Sequence, residues 1–225
     1  MTGNRVIYPA AAKSTDVQLR NPEAIPYVVQ SWFDDGDPDS SPQTGKAPFS
    51  VTPPMLRMAP QSSQLLRIVY TGDKGTLPQD RESVFYFNFL QIPPANMGDA
   101  QPGKNNALVI LLRNRVKLFY RPANLPVRPQ GHAASLAVSV INKAGYQVTV
   151  DNPNPWFASI ATITLTQGTQ QWKVKATDMV MPFSSHTWAF PKARLNPDES
   201  ITVSIQMVND QGGAITHDYV VSLSS

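Results

Sequence analysis

The sequence predicts an all-β protein built from two immunoglobulin-like β-sandwich domains. Strand-like alternation of apolar and polar residues recurs throughout, and no window of a dozen residues has the apolar spacing of an amphipathic helix. The 21 prolines spread over 225 residues would interrupt long helices. Each half carries about seven short strand-like stretches separated by turn residues, which is typical of a sandwich of about 100 residues.

The predicted strands fall into two series on either side of a proline-rich segment. The first series is RVIYP (5–9), TDVQLRN (15–21), PYVVQSWF (26–33), PFSVT (48–52), QLLRIVYT (64–71), SVFYFNFLQI (83–92) and ALVILLRNRVKLFY (107–120). The second is SLAVSVIN (135–142), YQVTVDN (146–152), ASIATITLTQ (158–167), QWKVKA (171–176), HTWAF (186–190), SITVSIQMV (200–208) and AITHDYVVSL (214–223). We therefore predict a domain over 1–121, a stiff linker over 122–131 and a second domain over 132–225.

Composition excludes several classes of protein. The chain is 41% hydrophobic and 16% charged, so it is expected to fold rather than stay disordered. No apolar run approaches the roughly 20 residues that span a bilayer, so no membrane insertion is predicted. A net charge of +3 is too small a bias to predict nucleic-acid binding. The absence of cysteine excludes disulfides and cysteine-based zinc sites.

No enzymatic constellation is present, so we predict no catalysis, no cofactor and no metal. The three histidines stand in no catalytic or metal-binding motif, and no glycine pattern forms a phosphate cradle. The acidic loop at 34–39 resembles a calcium loop, but Ser40 and Lys46 replace the required Gly and Glu, which favours a solvated hairpin loop. The first residues do not form a signal peptide, which leaves a cytosolic protein or a mature exported one that begins with an added Met.

The strand predicted at 107–120 is unusual for its length and composition. Its first half, ALVILL, is apolar on both faces, and its second half contains RNRVK (113–117), for which a solvated strand face is favoured over a nucleic-acid patch. A strand of about 14 residues exceeds the usual five or six, so part of it is expected to project beyond its own sheet. An apolar projecting strand in a folded protein suggests strand addition to another chain, and makes self-association of the free protein an expectation.

Several motifs resemble the PapD-like periplasmic pilus chaperones of the chaperone-usher pathway. They are RESVFYFNFLQIPP (81–94), RVKLFYRP (115–122), TPPMLRMAP (52–60), LPQDRES (77–83), VDNPNPWF (150–157) and VNDQGG (208–213). They run through both predicted domains, so the resemblance covers nearly the whole chain. It implies a boomerang of two immunoglobulin-like domains, located in the periplasm, that folds and caps pilin (fimbrial) subunits by donor-strand complementation and delivers them to an outer-membrane usher.

The resemblance also implies roles for individual residues. Arg5 and Lys117 would anchor the C-terminal carboxylate of the subunit. The side chains of the donor strand that fill the subunit groove would be Leu108, Ile110 and Leu112. An interdomain charge cluster would consist of Glu82, Arg121 and Asp210. Strict alternation puts Lys117 on the opposite face of the strand from Leu108, Ile110 and Leu112, so the strand must twist or bulge if both roles hold. Which face of the strand fills the groove is not decided by the sequence.

Two further points follow from the resemblance. The connection from Ile92 to Leu108 is a few residues longer than in typical short-loop members, yet no cysteine pair brackets it as in the long-loop class; we expect the short-loop class. Two other functions stay open: an extracellular adhesion module of two immunoglobulin-like domains, and a sandwich-type hydrolase, against which the missing motifs argue. The cognate subunits and the usher contacts are not identified by the sequence.

Overall fold

The chain forms two compact all-β units. The computed structural model describes residues 1–73, 75–94, 110–129, 132–143, 145–176 and 178–224. Within these residues the regular structure consists of β-strands and one 3-10 helix, His132–Ser135, which confirms the all-β prediction. One unit contains Met1–Pro78 and Ser83–Ala123, and the other contains Gln79–Glu82 and Asn124–Ser225. The division at Ala123 falls within the proline-rich segment.

The first unit is a sandwich of two sheets. Its strands are β1 (Arg5–Pro9), β2 (Thr15–Arg20), β3 (Tyr27–Asp34), β4 (Phe49–Thr52), β5 (Met55–Met58), β6 (Ser63–Tyr70), β7 (Ser83–Ile92) and β8 (Leu112–Arg121). One sheet has the order β1-β8-β7-β3-β5 and the other the order β2-β6-β4. The inner faces of the two sheets enclose one hydrophobic core.

Strand β7 lies at the centre of the five-stranded sheet and supplies much of that core. Phe85, Phe87 and Phe89 alternate along it and are all buried. The Phe87 ring centroid lies 5.2 Å from that of Phe33, and the Phe85 centroid lies 5.2 Å from that of Phe49 on the opposite sheet. These contacts make β7 a central core strand.

The second unit is also a sandwich. Its strands are β9 (Ala137–Asn142), β10 (Tyr146–Asn152), β11 (Ala158–Gln167), β12 (Gln170–Lys175), β13 (Met179–Val180), β14 (Ser184–Phe190), β15 (Ile201–Val208), β16 (Ala214–Val221) and β17 (Leu223–Ser224). The sheets have the orders β14-β10-β9-β17 and β12-β11-β15-β16, with β13 paired to β11. Strand β15 alternates strictly between buried and half-buried residues, as a strand between a core and an outer surface should.

Strand β8 differs from its prediction at one end. It begins at Leu112, and the described residues Ile110 and Leu111 precede it outside any strand. Residues 107–109, and with them Leu108, lie outside the described residues, as do Gln130 and Gly131 of the predicted linker. The connection on which the short-loop expectation rests also lies mostly outside them.

Candidate functional site

Two cations of the first unit lie opposite each other on neighbouring strands. β1 and β8 are parallel, and Arg5 and Lys117 are partners in their register. Val6 and Leu118, the next residues along each strand, are buried in the core, so alternation places both cations on the outer face of the sheet. The Arg5 guanidinium also lies 5.8 Å from the centroid of the Phe119 ring. A planar guanidinium beside an ammonium group is suited to binding a carboxylate.

One edge of β8 next to this cation pair has no strand beside it in the described part of the chain. β1 pairs with β8 over residues 117–121, whereas β7 pairs with it over 112–120 on the other side. Over 112–116, β8 therefore has a neighbouring strand on one side only, as far as the described residues extend. Backbone N–H and C=O groups along such an edge form a template for pairing with another chain. We call 112–116 the open edge.

Large apolar side chains are exposed where the open edge begins. Ile110 is 61% exposed, Leu111 53% and Leu112 56%. Three consecutive exposed apolar residues beside an unpaired strand edge indicate an interaction surface rather than a core.

The two faces of β8 are distinct along its whole length. Its register with β7 runs without a shift from Tyr120 to Leu112. Because Leu118 and Val116 pack in the core, alternation places Leu112 on the core-side face and Lys117 on the outer face. The bulge that would bring Leu112 and Lys117 to one face is therefore absent from the described strand.

The interpretation of RNRVK as a solvated strand face was wrong in part, because Arg113 and Arg115 keep some exposure but are also bound to neighbouring strands. Arg115 donates from Nε to Asp34 Oδ2 at 3.0 Å, and its guanidinium carbon lies 3.5 Å from the centroid of the Tyr86 ring. Arg113 donates from Nη2 to Asn88 Oδ1 at 2.8 Å and lies 4.9 Å from the Trp32 ring centroid. Both arginines are thus bound across the outer face of the sheet.

The interpretation of the acidic loop as wholly solvated was also wrong at its first residue. Asp34 is the last residue of β3 and is fully buried, whereas residues 35–39 are exposed. Burial by itself raises the pKa of Asp34, but hydrogen bonds from Arg115, Asn88 and the Gly36 N–H outweigh it, and the pKa lies below its usual value. Asp34 of β3 is therefore a buried anion that binds side chains of both β7 and β8.

The residues of the predicted interdomain charge cluster divide between the two units. Arg121 belongs to the first unit, and Glu82 and Asp210 belong to the second. Glu82 is buried; its Oε2 accepts a hydrogen bond from the Phe157 N–H at 2.9 Å, and its own N–H donates to the Pro155 carbonyl. The cluster as a whole stays a prediction of the resemblance.

Sequence reasoning missed a partner of Asp210. Arg128 Nη1 lies 2.6 Å from Asp210 Oδ1, and Arg128 Nη2 donates to the Phe157 carbonyl at 3.2 Å. Both charged side chains are mostly buried. Arg128 stands in the proline-rich segment, where no periodicity or motif marks it, and only the fold brings it to Asp210.

The described residues include no group of three or more His, Cys, Asp or Glu side chains placed to hold a metal ion. Nor does this part of the chain contain a helix long and apolar enough to cross a membrane.

Known proteins with similar sequences and structures bear on this arrangement. The chaperone protein HifB of Haemophilus influenzae is 40% identical over 184 residues, which cover 82% of this chain and 73% of HifB. The crystal structure of the Pseudomonas aeruginosa CupB2 chaperone matches with a TM-score of 0.79 and 31% identity over 98% of this chain and 99% of that one. The SafB chaperone of Salmonella enterica, solved in complex with the SafA pilin, matches with a TM-score of 0.78 and 28% identity over 98% and 94% of the two chains.

Two family descriptions cover almost the whole chain. Residues 1–126 match the N-terminal domain of PapD, a pili and flagellar-assembly chaperone, and residues 130–219 match the PapD C-terminal domain. The match replaces the adhesion-module and hydrolase alternatives with a family of assembly chaperones that are not enzymes. The chain belongs to the PapD family of pilus-assembly chaperones.

Proposed function

We propose that this chaperone works in the periplasm, captures pilin subunits by pairing their last strand with the open edge of β8, and passes them to an outer-membrane usher. One observation carries the proposal: the open edge at 112–116 is continuous with the Arg5 and Lys117 pair. A backbone template and a carboxylate site lie end to end on one strand.

The position of the two cations fixes the direction of the captured strand. If its terminal carboxylate lies at Lys117 and the preceding residues pair with 112–116, the strand runs from the Leu112 end of β8 towards the Lys117 end. It is then parallel to β8, as β1 already is over 117–121. The captured strand would occupy the place that β1 leaves vacant before Arg5.

The carboxylate anchor would set the register of the added strand. A chain end held by a guanidinium fork and an ammonium group has one favoured position along β8. Register in turn decides which side chains face each pocket, because a slip of one residue exchanges the two faces. Leu112, with Ile110 and Leu108 before it, would then supply the apolar side chains that fill the groove of an incomplete subunit.

Similarity to a chaperone solved with its pilin supports this function. SafB is described as the chaperone in complex with the SafA pilin, and its fold covers nearly all of this chain. Membership of the PapD family and similarity to SfaE, which is described as a periplasmic chaperone, support a periplasmic location and an usher as the second partner.

Co-expression tests the proposed function. The tagged chaperone and a pilin subunit of the source organism would be expressed together in a bacterial periplasm, and the chaperone purified. We expect the wild-type chaperone to co-purify with an equimolar amount of pilin. The Arg5→Ala, Lys117→Ala double variant should co-purify with none. Recovery of the pilin by the double variant at the wild-type level, or no recovery by the wild type although the pilin is expressed, would overturn the proposal.

A further inference from the structure

A buried carboxylate ties the half-paired part of β8 to two other strands. Asp34 Oδ2 accepts hydrogen bonds from Arg115 Nε at 3.0 Å and from Asn88 Nδ2 at 2.7 Å. Oδ1 of the same carboxylate accepts from the Gly36 N–H at 2.9 Å. Because Asp34, Asn88 and Arg115 belong to β3, β7 and β8, this one side chain crosslinks three adjacent strands.

Arg113 extends the same connection to the loop that follows β3. Its Nη1 donates to the Pro38 carbonyl at 2.7 Å, and its Nη2 donates to Ser40 Oγ at 3.2 Å. The same hydroxyl group accepts from Trp32 Nε1 at 3.2 Å. The loop therefore lies against the outer face of β8 and is held there by Arg113. We call Asp34, Asn88, Arg113 and Arg115 the Asp34 cluster.

The cluster makes a shift of β8 by one residue along β7 energetically unfavourable. In the observed register Arg115 is opposite Asn88, and Arg113 is opposite Leu90. A slip of one residue would turn both arginines towards the core and Leu112 to the outer face. Asp34 would then be a buried charge without its cationic partner, which is strongly destabilising.

We propose that the Asp34 cluster holds residues 112–116 in strand register before a partner strand arrives, and thereby fixes which apolar side chains the open edge presents. Arg113, Arg115 and Asp34 are positioning residues in this proposal, since they act through the backbone of β8. The inference rests on the proposed function, because the register of the open edge matters only if it receives a strand.

Ordering residues 112–116 before binding has a physical advantage. A strand paired on one side only opens more easily than a strand inside a sheet. A segment that is already ordered loses less conformational entropy on binding. The cluster lies on the outer face of β8, so it can order the backbone while the open edge and the Leu112 side chain stay accessible.

Hydrogen exchange of the free chaperone tests the inference without any subunit. The Asp34→Asn and Arg115→Leu variants would be compared with the wild type, and Arg67→Leu would serve as the matched control. Arg67 forms an exposed ion pair with Asp16, at 3.3 Å, in the other sheet of the same unit. Exchange in β6 reports unfolding of the whole unit and separates it from local opening.

We expect exchange of those 112–116 amides that are hydrogen-bonded to β7 to rise at least about tenfold relative to β6 in both variants, as for a segment whose local opening has become easier. Arg115→Lys keeps the charge without the fork and should fall between Arg115→Leu and the wild type. Arg67→Leu should leave 112–116 unchanged. If exchange in 112–116 rises only as much as in β6, or not at all, the cluster is a stabilising contact and the positioning role is wrong.

Pilin co-purification distinguishes failure of the inference from failure of the proposed function. A wild-type chaperone that captures no pilin contradicts the proposed function, whatever the exchange data show. If the wild type captures pilin, Asp34→Asn should capture less of it, and Arg115→Lys should recover part of the loss. Full capture by Asp34→Asn would overturn the inference and leave the proposed function intact.

Discussion

Arg5 and Lys117 are opposite each other in the parallel register of β1 and β8, one residue beyond the end of the open edge. Their side chains share the outer face of the sheet, whereas Leu112 lies on the core-side face of the same strand. The chain thus separates two tasks by face: cations on one side, apolar side chains on the other.

Removing either cation should weaken subunit capture without unfolding the chaperone. Arg5→Ala or Lys117→Ala should each reduce the free energy of binding by about 2–5 kcal/mol, as for truncation of one partner of a charged contact. Titration of purified pilin against each variant measures the loss. Lys13→Ala, which removes an exposed lysine of the same unit, is the matched control and should bind as the wild type does. Equal affinities for all four proteins would contradict the carboxylate anchor.

Leu112 and Leu111 provide a test of which face enters the subunit. Both are about equally exposed in the free chaperone, at 56% and 53%, so neither substitution should lower its stability much. Leu112→Ser should weaken capture by about 1.5–3 kcal/mol, the value of burying one leucine side chain. Leu111→Ser should weaken it much less. The reverse order of affinities would show that the odd-numbered residues fill the groove.

The contribution of Asp34 to stability should vanish in acid. The folded-state pKa lies below the ordinary value of 3.8, so ionised Asp34 stabilises the fold above that pH and loses its effect as the pH falls through the folded-state pKa. Near neutral pH, Asp34→Asn should lower the free energy of unfolding by roughly 3–5 kcal/mol. The loss should lie near the lower end of that range because Arg115 keeps some contact with solvent. Urea unfolding at neutral pH and well below pH 4 measures both differences. A difference between variant and wild type that is independent of pH would contradict the ion pair.

Tyr219 should stabilise the second unit up to alkaline pH. Its hydroxyl donates to the Ala133 carbonyl, and burial raises its pKa to about 12. Because the folded-state pKa exceeds the ordinary value of 10, the stabilising effect is complete below pH 10 and is lost as the pH rises through about 12. The ultraviolet titration of the wild type minus that of Tyr219→Phe should show one tyrosine ionising near 12. An ionisation near 10 in the difference curve would contradict a buried hydroxyl.

Most strand positions could be predicted because alternation is strong wherever one face of a strand is buried. β7 and β15 begin and end within one residue of their predicted bounds. The short β5 was missed because four residues after two prolines show no periodicity. The start of β8 was placed too early because a continuous apolar run does not mark where a strand begins.

The candidate site was less predictable, since it depends on pairings between distant strands. Arg5 and Lys117 were singled out by resemblance alone, and their proximity follows from the parallel pairing of the first and last strands of the unit. The Asp34 cluster was missed because an aspartate in a predicted loop and an arginine in a predicted strand, 81 residues apart, share no sequence pattern. Only the order β8-β7-β3 brings them together.

The structure of the chaperone bound to a pilin subunit is the most direct test of the central claim. We expect the last strand of the subunit to run parallel to β8 along 112–116, with its terminal carboxylate oxygens about 2.7–3.2 Å from Lys117 Nζ and the Arg5 guanidinium. A subunit whose last strand runs antiparallel to β8, or whose carboxylate lies away from both cations, would contradict the claim.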